Sequence, residues 1–145
     1  MMASIVGILH MFLLDFFFFL GLKLNYLDKL EIDEFYNILF ADNQNIVIFI
    51  VGAIVLGFLI IFLRSSILKT ALFAITWSFS ALTLIPPIGY NIGEYMFKKE
   101  NQNIQMQTRA FKGDIMYESR SHLFVRFNNN NTITKIKKDT YATHN

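Results

Sequence analysis

In a chain of 145 residues, 54% hydrophobic and 16% aromatic residues are too many for an ordinary soluble domain, and they gather in three runs. The absence of cysteine excludes a disulfide framework and a thiolate metal site. The formal net charge of +2 is small, but its parts are unevenly placed along the chain.

The first run, 5–24, reads as a membrane-spanning helix. Met1-Met2-Ala3-Ser4 brings no basic segment before it and no small-residue cleavage pattern follows, so the span is expected to be retained. Asp15 lies near the centre of the run, directly before four phenylalanines. A carboxylate in hydrocarbon costs about 2.5–3.5 kcal/mol, which the apolar neighbours outweigh. Asp15 therefore needs a partner: an ion or proton, another subunit, or hydroxyls of its own chain. His10 is five residues away, about 140° around the helix, and does not share its face.

Between the first two runs, Ile32, Phe35, Tyr36 and Leu39 recur at helical spacing, which predicts an amphipathic helix over 28–40. The segment 23–45 carries two lysines against five carboxylates, a net −3, which suits a protein neighbour at least as well as anionic lipid. The second run, 46–63, has no charge until Arg64 ends it. Within it Ala53 and Gly57 form a small-residue pair suited to close helix packing. The third, 70–88, is stopped or kinked by Pro86-Pro87. It bears a hydroxyl stripe, Thr76, Ser80 and Thr83, and on the opposite face a small stripe, Ala71, Ala74, Ser78 and Ala81. The economical arrangement places the third span between the others, its small face on Ala53 and Gly57 and its hydroxyl face on Asp15. The plainer alternative has the hydroxyls bonding back to their own helix carbonyls.

After residue 97 the period changes. Residues 104–108, 115–117, 123–127 and 132–137 alternate as strands, with turns read at Lys112-Gly113-Asp114 and at the asparagine run 128–131. His122 reads as a turn residue and His144 as part of the tail. The expected fold is therefore a membrane α-helical domain of three spans, 1–97, followed by a small polar β-rich domain, 98–145, built as hairpins or a small barrel of the SH3-like or OB-like kind. That second domain holds nine basic and four acidic residues. With three spans it lies on the same side of the membrane as the acidic 23–45 segment, and the two are expected to dock. The Lys/Arg count near the span ends favours the cytoplasm for that side.

No chemistry-bearing constellation stands out. The three histidines have no metal-ligand spacing, Ser65-Ser66 has no base nearby in sequence, and there is no glycine-rich phosphate loop. A non-enzymatic protein without cofactor or metal is expected. A nucleic-acid platform is disfavoured, because the aromatics of the β-domain are needed for its own core. The leading expectation is an accessory or assembly subunit of the bacterial inner membrane, sitting in the lipid bilayer and binding other membrane-protein subunits or its own copies through its spans, and a soluble partner through the β-domain. The competing readings are a small transporter or channel subunit using Asp15, and a holin-like membrane-lesion protein.

Overall fold

The computed structural model describes residues 2–106, 109–127, 132–138 and 141–142. Helix α1 (Met2–Leu22) runs on through a π turn (Lys23–Leu27) and a 3-10 turn (Asp28–Leu30). Then come α2 (Tyr36–Asn43), α3 (Ile46–Phe62) and α4 (Ser66–Ala81), which ends in a 3-10 turn (Leu82–Leu84), and α5 (Pro86–Phe97). Two helical stretches, Met2–Leu30 and Ser66–Leu84, are long and apolar enough to cross a membrane. The pair α2 and α3, bent by 83° at the break between them, offers a third.

Local chemistry sets these boundaries. Asn45 starts α3, its side-chain oxygen accepting from the backbone N–H groups of Val47 and Ile48 at 3.0 and 3.2 Å. Ser65 starts α4 in the same way, accepting from Leu68 N–H. Pro86 and Pro87 lack the N–H that would continue the helix, so α4 stops and α5 begins on them. The carbonyl of Thr83, four residues before Pro87, loses its helical donor, and the Asn25 side-chain amide donates to it at 2.8 Å.

The expected helix over 28–40 is not continuous. Glu31 takes a left-handed conformation (φ 56°), which ends the first helix and sends 32–35 off in an extended path before α2. The apolar stripe still works in part. Ile32 and Leu39 are buried and Tyr36 half-buried, but Phe35 is 70% exposed.

The remaining residues form an antiparallel sheet of β1 (Lys99–Met106), β2 (Arg109–Glu118), β3 (His122–Phe127), β4 (Ile133–Lys137) and a two-residue β5 (Tyr141–Ala142), in the order β4-β3-β2-β1-β5. The turn read at 112–114 is instead the middle of β2, where Gly113 pairs with both Gln102 and Phe127. Its alternation survives because strands flank it on both sides. The asparagine run and His144 lie outside the described residues, and His122 opens β3 rather than a turn. Ile104, Ile115, Leu123, Val125 and Ile136 cluster on one face. Among the described residues only strand residues cover this face, as happens when a sheet curls. No β4–β5 pairing closes the described strands into a barrel.

The other face rests on the helices. A register shift between Ile115 and Tyr117 makes Met116 an extra residue in β2. Such a bulge re-aims side chains and frees backbone groups from the ladder. Met116 and Tyr117 both enter a core with Phe124, Tyr26, Leu27 and Phe97. The Tyr26 hydroxyl donates to the Met116 carbonyl at 2.8 Å, a fully buried bond joining helix to sheet. Gly93 of α5 lets the Tyr26 ring in, since a Cβ there would overlap it. The expected docking of 23–45 on the β-domain is thus observed, and apolar burial does most of it.

Candidate functional site

The apolar helices are not arranged as the sequence suggested. It is α1, not α4, that lies in the middle, packing on α3 along one side and on α4 along another. Ala53 and Gly57 of α3 receive Ala3 and Gly7 of α1 rather than the small face of α4. A Cβ on Gly7 would overlap the Ala53 carbonyl, and one on Gly57 would overlap the Ala3 carbonyl. Backbone therefore meets backbone, as small residues four apart on both helices permit. The Ala3/Gly7 pair is itself legible in the chain as two small residues four apart, ahead of the conspicuous Asp15.

The hydroxyl stripe of α4 does face α1 but bonds to other groups than Asp15. Ser80 donates to the Leu14 carbonyl at 2.5 Å, and Thr83 donates mainly to Ser80's own carbonyl at 2.9 Å, with Phe17's carbonyl at 3.5 Å. Thr76 donates to the Leu72 carbonyl at 2.9 Å, and its hydroxyl oxygen lies 3.3 Å from His10 Nε2. His10 is buried there, edge-on to Phe73 and Trp77. Bonding back to helix carbonyls, the plainer reading, describes Thr76 and Thr83; Ser80 crosses to its neighbour.

Asp15 accepts from the Gln44 side-chain amide at 2.8 Å. Gln44 immediately precedes the cap of α3, so Asp15 sits level with the start of that helix and not at its middle. The reason is register. Gly7 of α1 faces Ala53 on the antiparallel α3, and eight residues further along α1 reach the other end of α3. The Gln44–Asn45 pair at the head of an apolar run was the available signal for this partner. Asp15 is half-buried, walling hollows between α1 and the two flanking helices. Because each member satisfies the other, Asp15→Leu is expected to cost about 1–2 kcal/mol by stranding the Gln44 amide, and the double variant Asp15→Leu/Gln44→Leu to recover most of it. Thermal unfolding in mild detergent measures both. A single variant as stable as the parent would mean that the pair carries nothing.

Two further features belong to the site. Opposite its hydroxyl stripe, α4 leaves Ala71, Ala74, Ser78 and Ala81 all exposed, and α3 and α4 form no packed interface with each other. Where the helices meet the sheet lies a cleft of about 430 Å³ lined by charged groups. In it the Arg120 guanidinium and backbone N–H both bond to Asp42. Glu118 takes Lys99 at 2.8 Å on one oxygen and Lys138 at 2.7 Å on the other. Burial works against the charge of Asp42, but the bonds from Arg120 outweigh it and hold that carboxyl below its ordinary range. The same balance, through Lys138 and Lys99, holds Glu118 below its own. Burial pushes the neighbouring Tyr117 hydroxyl up to about 12, so it stays protonated.

No protein family matches the chain, and neither a curated protein nor a solved structure is similar to it.

Proposed function

We propose that the chain is a non-enzymatic accessory subunit of the bacterial inner membrane that binds the helices of other membrane proteins, or of further copies of itself, through α4. The observation that supports this reading is the exposed stripe Ala71, Ala74, Ser78 and Ala81. Lipid tails are as apolar as leucine, so helices in a bilayer associate by close backbone approach, and small residues on an open face allow it. The partner that the sequence suggested for this stripe, Ala53 and Gly57, is already taken by α1, which leaves the stripe free to meet a second protein. The sheet would lie on the cytoplasmic side, with its basic surface available to a soluble component of the same assembly.

The test replaces Ala74 or Ser78 by phenylalanine. Each variant is expected to insert and unfold like the parent, since both side chains point away from the fold, while co-purification of the partner falls at least about tenfold, or roughly 1.4 kcal/mol. In intact cells, Ser65→Cys, which places a single cysteine in a chain that has none, should label from outside. Unchanged co-purification in both variants would sink the proposal.

A further inference from the structure

Three hollows beside α1 follow one another, neighbours sharing lining residues, and their walls change character along the series. Between α1 and α4 lies a hollow of about 290 Å³ lined by Leu14, Phe18, Ile75 and Phe79, with Thr76 and Ser80. A second, of about 320 Å³, shares Met11, Asp15, Phe18 and Phe79 with it and passes Ile48 and Phe49 to reach Asn43 and Met96. The charged cleft at the sheet shares Asn43 and Met96 with the second. Hydrocarbon walls thus give way to charge, and the change falls level with Asn45, where α3 begins.

We propose that this series of hollows holds one anionic glycerophospholipid, an acyl chain lying over α1 between α3 and α4 and the phosphate in the charged cleft. The polarity runs in the order a leaflet lipid presents. From Phe19 to Met11 the α1 floor extends about 12 Å at 1.5 Å per residue, which takes the upper part of a chain and leaves the rest in bulk lipid. Among the described residues the headgroup end carries Lys99, Arg120 and Lys138 against Asp42 and Glu118, an excess of one positive charge. That excess is localised: Arg120 and Asp42 neutralise each other, whereas two ammonium groups share the single carboxylate of Glu118. A phosphodiester between Lys99 and Lys138 supplies the missing charge, and basic pockets at the membrane face of a helical layer select anionic headgroups on this ground. Tyr95 on α5, 91% exposed, is of the residue type that settles at the headgroup level. This crevice lies on a different flank of α4 from the small stripe, so the lipid and the protein partner do not compete.

The 145-residue chain in mild detergent is titrated with phosphatidylglycerol or phosphatidylcholine and weighed by native mass spectrometry. One phosphatidylglycerol per chain is expected to be retained, at concentrations about tenfold below those needed for phosphatidylcholine. Lys99→Gln with Lys138→Gln should abolish the preference, and the matching pair of arginine substitutions should keep it. Ile48→Trp, which fills the apolar part, should weaken retention of both lipids. Equal binding of the two lipids by the parent, or a preference that survives the glutamine pair, would overturn the proposal. So would displacement of the lipid by an equal concentration of glycerol phosphate, which would make the cleft a site for soluble phosphate. Cross-linking from a cysteine at Ile48 to another protein's helix would equally replace the lipid as occupant. Loss of co-purification in the α4 variants is independent of every one of these results.

Discussion

Gly7→Leu is expected to separate α1 from α3. The space a side chain would need at Gly7 is held by the Ala53 carbonyl and the Gly57 Cα, both backbone, so no rotamer change relieves the overlap. Overpacking costs typically about 1–3 kcal/mol when side chains can adjust. Here a whole helix must move, and the expected loss is about 3 kcal/mol or more, seen as a lower unfolding midpoint in detergent and a smaller folded fraction. Gly52→Ala is the control. Its Cβ would meet only the end of the Met11 side chain, 3.0 Å from the sulfur, and a flexible thioether can swing aside. A loss below about 1 kcal/mol is expected there. If Gly7→Leu unfolds like the parent, the backbone contact of α1 with α3 is not what holds the spans together.

Tyr26→Ala is expected to undock the sheet. The ring is fully buried, lying 5.6 Å from Tyr90 and 5.7 Å from Phe97 between centroids, and its hydroxyl donates to the carbonyl of Met116 at the β2 bulge. Removing a buried aromatic ring costs about 3–5 kcal/mol. Tyr26→Phe keeps the ring and strands only the Met116 carbonyl, for about 1–3 kcal/mol. Limited trypsin digestion reads the difference, because Lys112 and Arg120 lie in the sheet module: cleavage there should accelerate strongly in Tyr26→Ala and mildly in Tyr26→Phe. A sheet that stays protected in Tyr26→Ala would show that the module holds its place without this joint. The ion pair of Arg120 with Asp42 is too exposed on the arginine side to substitute for it.

Much of this architecture was readable without coordinates. The apolar runs and the stop at Pro86-Pro87 are local chemistry, and local chemistry is written in neighbouring residues. So is the alternation that marks β2 through β4, and the opposite charge of the 23–45 segment and the β-domain. Each of these depends on residues a few positions apart or on a count of crossings. Misreadings arose where one pattern admits two conformations. The stripe at Ile32, Phe35, Tyr36 and Leu39 has helical spacing, yet the chain turns through a left-handed Glu31 because Ile32 and Leu39 reach the same core by different paths. Lys112-Gly113-Asp114 looks like a turn, yet Gly113 is held in a strand by partners on both sides.

Helical periodicity assigns residues to faces, so the residues alone tell which faces of the apolar helices are small and which carry hydroxyls. They could not determine which small face meets which. Ala3/Gly7, Ala53/Gly57 and the Ala71–Ala81 stripe are chemically interchangeable, and only their heights along antiparallel helices and the reach of the connecting turns select one pairing. The tertiary structure made that choice, giving α3 to α1 and leaving the α4 stripe uncovered. The same register carried Asp15 past the middle of α3 to Gln44, a partner fixed by the offset between two helices rather than by anything in the residues around either one.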